Sequence, residues 1–143
     1  MADTFLDPGQ KLPSVALDIS QELIDRYAEV SGDFNPVHVD VDGAATSEFG
    51  STIAHGCIPM EPLFQGLSAA LDRPDLPFST QINLRYRRPS RPGDTIHLEA
   101  SVAGIDAADA ATVTFACVNQ DGDVVLDGEC LIPFANVTRP ESK

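Results

Sequence analysis

Hydrophobic and polar positions alternate along the second half of the chain, a pattern that favours half-buried strands. The alternation predicts strands over residues 81–87, 95–105, 111–119 and 124–134. Between the last two, Gln120-Asp121-Gly122-Asp123 is a strong hairpin signal. Residues 14–18 alternate in part and predict an early strand, whereas residues 1–13 show little periodicity and predict an arm or loop.

The first half of the chain carries the helical period instead. A helix is predicted after Ser20, a good N-cap, and Gly32 is expected to end it. The apolar face of that helix carries Leu23, Ile24, Tyr27 and Val30. A short helix is expected over residues 40–49 and an extended connector over 51–55. Residues 56–71 are apolar on nearly every side, which is typical of a buried helix.

Together these elements predict an α+β fold, with a mostly antiparallel sheet and one buried helix. A chain of 143 residues is one domain by the usual size relation. We expect that domain to span residues 14–135, after the arm of residues 1–13 and before a tail at 136–143.

Charge and composition narrow the classes of function. A net charge of −13 argues against nucleic acid or an anionic membrane as a partner. No apolar run approaches ~18 residues, and the N-terminal stretch MADTFLDPGQ lacks the regions of a signal peptide, so a cytoplasmic location is expected. The three cysteines have no paired spacing, which favours reduced thiols over disulfides. The sequence separation of His38, His55 and His97 argues against a ligand set, so no metal or other cofactor is predicted.

The stretch Gly32-Asp33-Phe34-Asn35-Pro36-Val37-His38 places a carboxylate and an imidazole on one constrained loop. Gly32 and Pro36 disfavour regular structure here, so Asp33 and His38 can converge on a small volume. Such a pair can share general acid and base work near neutral pH. The alternative is that Asp33 and Asn35 only cap the local backbone and His38 lies at the surface.

The longer run Tyr-x-x-Val-Ser-Gly-Asp-x-Asn-Pro-Val-His, with Ala44 six residues after the histidine, resembles the signature of the MaoC-like, (R)-specific enoyl-CoA hydratases. The block Ile53-Ala54-His55-Gly56 resembles the next landmark of that family. The resemblance covers residues 14–134. It implies the hotdog fold, in which the sheet wraps a central helix, and a homodimer with the active site near the interface.

The resemblance also implies the chemistry. Asp33 and His38 would act on one water that adds to a 2-enoyl thioester, and which of them removes the water proton stays open. Asn35 would orient that water or the Asp33 carboxylate. The Gly56 N–H would stabilise the negative charge on the thioester oxygen, although a simple helix-start glycine is the alternative. His55 is expected to hold the loop by a hydrogen bond, and Cys57 is expected to be a small structural residue.

The start of the buried helix departs from the family pattern. Proline is welcome at the first helical position but costly inside a helix. We therefore expect the helix to begin at Pro59, with Pro62 in its first turn, or to have a distorted first turn. By resemblance Glu61 borders the acyl pocket, where a buried carboxylate would need a donor and would favour a short or polar substrate. The alternative places Glu61 in solvent or at the helix start.

Four of the nine basic residues lie within seven positions, at Arg85, Arg87, Arg88 and Arg91. This cluster is expected to contact the phosphates of coenzyme A or an acidic carrier protein, and a solvated strand end is the alternative. The expected function is therefore that of a hydro-lyase acting on an acyl-CoA or acyl-carrier-protein thioester. The competing functions are a hotdog thioesterase and a non-catalytic hotdog binding or subunit protein.

Overall fold

The computed structural model describes residues 6–133. Residues 1–5, the end of the last predicted strand at Phe134 and the predicted tail lie outside the described residues. Five strands and four helices follow one another with a 3₁₀ turn before the last helix. They are β1 (Ala16–Asp18), α1 (Gln21–Ser31), α2 (Pro36–Val39), α3 (Val41–Ala45), the 3₁₀ turn (Ile58–Met60), α4 (Glu61–Leu71), β2 (Gln81–Tyr86), β3 (Thr95–Ile105), β4 (Ala110–Val118) and β5 (Val124–Pro133).

The strands form one antiparallel sheet in the order β1-β3-β4-β5-β2, which confirms the predicted α+β fold. Along β3 the residues Leu98 and Val102 are buried, while Glu99 between them is exposed. The sheet therefore has an inner, apolar face and an outer, polar face. The edge strands are β1 and β2.

The helix α4 lies on the inner face and supplies the centre of the core. Its leucines Leu63, Leu67 and Leu71 are fully buried and belong to one cluster with the inner residues of the sheet. A methyl group at Gly66 would collide with Leu98, so the helix lies close against β3. Burying each leucine contributes about 1.5–3 kcal/mol, so this contact is a main source of stability.

The predicted ends of α1 are confirmed. The Ser20 hydroxyl accepts a hydrogen bond from Leu23 N–H (3.1 Å), and Gly32 ends the helix at φ 77° with its N–H bonded to Ala28 O. One position of the predicted apolar face differs, because Val30 is 87% exposed in this chain. The last turn of α1 therefore leaves an apolar side chain in solvent, beside the loop that carries Asp33.

The prediction of a single helix over residues 40–49 is wrong. Two short helices meet at Asp40, whose N–H bonds to Pro36 O and whose carboxylate accepts from Gly43 N–H (3.0 Å). The second helix ends at Ala45, because the Thr46 and Ser47 side chains donate to backbone carbonyls of the preceding turn.

The entry to α4 is distorted, as the prolines predict. Ile58–Met60 form a 3₁₀ turn with Pro59 inside it, and the α-helix begins at Glu61 with Pro62 in its first turn. The α-helix therefore starts at Glu61, two residues after Pro59, the first helical residue in one of the two predicted arrangements.

The described part of the predicted arm packs against the sheet. Leu6 and Leu12 are buried, and Gly9 N–H and Leu12 N–H bond to Val102 O and Ala100 O of β3. Among residues 6–133, no helix has the length and apolar character that a membrane crossing requires.

Candidate active site

The loop after α1 brings Asp33 and His38 together, as the spacing predicts. Asp33 Oδ2 and His38 Nε2 are 3.8 Å apart. The imidazole is nearly buried, with 13% of the side chain exposed, whereas the carboxylate is 53% exposed. At this separation the two groups do not form a direct hydrogen bond. Both can instead form a hydrogen bond to the same oxygen atom, such as that of a water molecule, on the solvent side of the pair.

The other ring nitrogen of His38 fixes the tautomer. His38 Nδ1 lies 2.8 Å from Ile53 O, and a carbonyl oxygen only accepts, so Nδ1 carries the proton. In the neutral ring Nε2 then keeps its lone pair and directs it toward Asp33. His38 is thus ready to accept a proton on the side where Asp33 lies.

Asn35 and the Asp33 carboxylate organise the turn itself. Asp33 Oδ1 accepts from Asn35 N–H and Asn35 Oδ1 accepts from Val37 N–H, each at 3.2 Å. Asn35 is also the N-cap of α2, the short helix that carries His38. In this chain the Asn35 side chain therefore holds the backbone between the two titratable groups.

His55 is a buried support for this loop. Its Nε2–H donates to Asp33 O (2.9 Å), the loop-holding hydrogen bond expected from the sequence. Its ring stacks on His38 with centroids 3.9 Å apart and meets Tyr27 at 4.6 Å. His38 and His55 therefore lie in contact despite their separation in sequence.

Asp33, His38 and His55 place one possible ligand atom each within 4.8 Å of the others. The remaining lone pairs are those of His38 Nε2 and His55 Nδ1. The two rings are nearly parallel, at 25°, so these lone pairs lie in separate planes and do not converge on one ion. This geometry favours acid–base chemistry over metal binding, and the absence of a metal stays a prediction.

Gly56 presents a free backbone donor. The carbonyl of His55 accepts from Ile58 N–H (3.0 Å), so the N–H at the other end of the same trans peptide points away from that turn. No acceptor among residues 6–133 engages the Gly56 N–H. The Gly56 carbonyl accepts from the Tyr86 hydroxyl (2.8 Å), and a Cβ at Gly56 would lie 2.9 Å from that oxygen. Only glycine fits under Tyr86 without displacing it.

A cavity of about 400 Å³ adjoins these groups, and we call it the His38 cleft. Its lining includes His38, Ala54, Gly56, Pro59, Tyr86, Arg87, Arg88 and Ser90. A larger concavity of about 910 Å³ lies on the outer face of the sheet, lined by residues such as Glu99 and Glu129. The His38 cleft is the better candidate site, because His38 and the free Gly56 donor both line it and Asp33 lies 3.8 Å from His38.

The arginines of the cluster differ in their position relative to the His38 cleft. Arg87 and Arg88 line the His38 cleft, half exposed, and face Asp127 at 3.0 Å and Asp123 at 3.9 Å. Arg85 does not line the cleft, because it projects from the outer face of β2 directly across from Asp127.

Comparison with known proteins identifies the family. Residues 5–121 match the MaoC like domain family. The chain belongs to this family. It is 34% identical over 116 residues to a 3-hydroxybutyryl-CoA dehydratase of Methylorubrum extorquens, covering 80% of this chain and 73% of the relative. It is 33% identical over 120 residues to an (R)-specific enoyl-CoA hydratase of Rhodospirillum rubrum, covering 83% and 82%.

The fold comparison points the same way. The unliganded R-hydratase PhaJ1 of Pseudomonas aeruginosa superposes with a TM-score of 0.75 at 32% identity, over 96% of this chain and 84% of that chain. The protein therefore has the hotdog fold of the MaoC-like hydratases.

Tyr27 contacts His55, and Glu61 lies at the start of α4. Glu61 is exposed in the first turn of α4, so the expected burial of its carboxylate does not occur in this chain. Interaction with the Cys57 side chain, then burial and the charges of Asp33 and Glu61, raises the pKa of Tyr27. The charge of Glu61 therefore contributes to the raised pKa of Tyr27, although Glu61 does not line the His38 cleft.

Sequence reasoning missed the parts played by Tyr27 and Tyr86. The sequence places Tyr27 on the apolar face of α1 and at the start of the family motif, and it places Tyr86 in the strand predicted over residues 81–87, with no side-chain contact predicted for either. The available signal was the hydroxyl: a tyrosine at an inward position needs a polar partner, and here Tyr86 finds one at Gly56.

Proposed function

We propose that this protein is a hydro-lyase that adds water to, or removes it from, a 2-enoyl thioester. The observation that carries the proposal is the Asp33–His38 pair, 3.8 Å apart, whose His38 lines a cleft together with the free backbone donor of Gly56. The names of the relatives support the same reaction class, since they are dehydratases and hydratases of thioesters.

The two side chains divide the work on one water. In hydration the water oxygen forms a bond to the β-carbon while one member of the pair accepts the proton that the water loses. The α-carbon takes up one proton, so one water is added in total. His38 Nε2 has the lone pair for the first step, and the half-exposed Asp33 carboxylate is an equally placed acceptor. Asn35 holds the turn so that both face the same water.

The Gly56 N–H is the oxyanion donor of this mechanism. Negative charge develops on the thioester oxygen as the water attacks, and a fixed N–H stabilises it without reorganising. Tyr86 supports this donor, because its hydroxyl holds the next carbonyl in place. Gly56 also lets the thioester approach the backbone closely.

Arg87 and Arg88 recognise the anionic carrier, either coenzyme A or the acidic surface of a carrier protein. Both line the cleft and remain half exposed despite their carboxylate partners. Arg87→Ser and Arg88→Ser should raise KM several-fold and flatten its salt dependence with kcat nearly unchanged. Arg26→Ser is the matched control, since Arg26 is an exposed arginine paired with Glu22 on α1. An unchanged KM in both variants would leave the cluster as a solvated strand end.

A second copy of the chain covers the open side of the site. Val30 and Phe34 flank Asp33 with 87% and 56% of their surface exposed, and β2 is an edge strand. Exposed apolar residues and an unpaired strand edge are each typical of an interface. Light scattering should give the mass of a dimer, and an active monomer would contradict this part.

The unpaired thiols Cys117 and Cys130 support a reducing, cytoplasmic setting.

One assay tests the function. Crotonyl-CoA is incubated with the protein, and both enoyl absorbance and free thiol are followed. A hydro-lyase removes the enoyl absorbance without releasing thiol, a thioesterase releases thiol, and a binding protein does neither. Thiol release, or no reaction with crotonyl-CoA and with a 2-enoyl carrier-protein thioester, would overturn the proposal.

A further inference from the structure

Gln21, at the start of α1, makes three hydrogen bonds that connect it to the loop of His38. Its Nε2 donates to His38 O (2.8 Å) and to Asp25 Oδ1 (2.9 Å), and its Oε1 accepts from the Thr52 hydroxyl (2.6 Å). Both partners of Nε2 are acceptors only, so the amide has one orientation. Thr52 is 3% exposed, so its hydroxyl is held away from water.

These bonds reach both supports of the His38 side chain. The first support is the backbone of α2, a four-residue helix whose last carbonyls lack partners within the helix. Gln21 satisfies the carbonyl of His38 itself. The second support is Ile53 O, which accepts from His38 Nδ1–H, and Ile53 follows Thr52 directly. Ile53 N–H also bonds to Val37 O (3.0 Å), so the two segments are joined at neighbouring residues.

We infer that Gln21 and Thr52 form a positioning pair that sets the tautomer and orientation of His38. Gln21 fixes the His38 backbone relative to α1, and Thr52 fixes the segment that accepts the Nδ1 proton. Loss of either side chain lets the Ile53 carbonyl and the imidazole move apart. His38 then spends more time with its proton on Nε2, where it has no lone pair for the water. This inference rests on the proposed role of His38 as an acid–base group.

The test uses variants that keep the shape and remove the hydrogen bond. Thr52→Val, which removes one of these bonds, should lower kcat on crotonyl-CoA about ten-fold, and Gln21→Met, which removes all three, should lower it at least as much, with KM changed less than two-fold in both. Thr52→Ser keeps the hydroxyl and should restore most of the rate. The double variant should be no less active than the less active single variant, because both side chains act through the same hydrogen bond, from His38 Nδ1 to Ile53 O. Glu22→Ala, on the same helix but exposed, is the control.

A second readout does not depend on activity. Nitrogen NMR of the histidine ring should show the Nδ1–H tautomer for His38 in the wild-type protein and a raised share of the Nε2–H tautomer in Thr52→Val. An unchanged tautomer in a folded Thr52→Val protein would overturn this inference, and so would strictly additive losses of kcat. A wild-type protein inactive on every thioester tested would instead overturn the proposed function, while the tautomer shift would still report the positioning.

Discussion

Adding one methyl group at Gly56 separates the packing of the site from its chemistry. In Gly56→Ala the new Cβ would lie 2.9 Å from Tyr86 Oη and 3.0 Å from Cζ. Ordinary carbon contacts begin near 3.5 Å, so the ring must retreat by roughly 0.5 Å. That movement lengthens the 2.8 Å hydrogen bond from the Tyr86 hydroxyl to Gly56 O. If Gly56 has the proposed oxyanion role, the methyl group also restricts the approach of a thioester to its N–H, because Gly56 lines the His38 cleft.

The size of both effects follows from these contacts. Tyr86 is about half exposed, so it can swing outward, and the cost should stay near the lower end for overpacking, about 1–2 kcal/mol. For a domain of this size that lowers Tm by roughly 3–8 °C. The effect on the reaction should be larger, about 100-fold in kcat/KM, the scale of losing one oxyanion donor.

Thermal unfolding and the crotonyl-CoA assay measure the two effects separately. The three nearest atoms to the new Cβ all belong to Tyr86, so Gly56→Ala should cost almost no stability in a Tyr86→Ala background. The rate should stay low in that background. Gly104→Ala is the matched control, since a Cβ there meets nothing within 4 Å. Wild-type kcat/KM in Gly56→Ala would refute the oxyanion role, and additive stability losses would refute the contact with Tyr86.

Two further predictions concern buried thiols and Glu61. Burial raises the pKa of Cys117 to about 12 and that of Cys130 to about 11, above the ordinary 9.0. The unfolded chain therefore releases these protons at lower pH than the folded protein, so the free energy of unfolding should fall as pH rises from 9 toward 11. The fall should be smaller in a protein with both Cys117→Ala and Cys130→Ala. Urea unfolding measures this free energy at each pH, and an equal dependence on pH in the two proteins would contradict the prediction. Glu61→Ala should raise the rate on a medium-chain enoyl-CoA relative to crotonyl-CoA, because it removes a charge beside the site; an unchanged ratio would place Glu61 outside the acyl path.

The local elements were predictable because their causes are local. The Ser20 cap, the Gly32 end of α1 and the alternation along β3 each depend on a few neighbouring residues, and the structure confirms them. The break at Asp40 was missed because its carboxylate caps the next helix, a contact that competes with helical propensity and leaves no periodic trace.

The site was only partly predictable for the opposite reason. Asp33 and His38 are close in sequence, so one loop brings them together. The stacking of His38 on His55 and the bond from Tyr86 to Gly56 join segments that only the sheet and α4 bring into contact. Arg85 and Arg87 look equivalent in the sequence, but Arg85 lies within β2, whereas Arg87 follows its end at Tyr86 and lines the His38 cleft while its side chain bonds to Asp127.

The most direct test of the account compares hydration of crotonyl-CoA by the wild-type protein, Asp33→Asn and His38→Gln. Each substitution keeps the shape of the side chain and removes its acid–base function, so kcat should fall at least ~100-fold while the circular dichroism spectrum and Tm are retained. Asp42→Asn, an exposed carboxylate in the first turn of α3, should leave kcat unchanged. A folded Asp33→Asn or His38→Gln protein that hydrates crotonyl-CoA at nearly the wild-type rate would contradict the account.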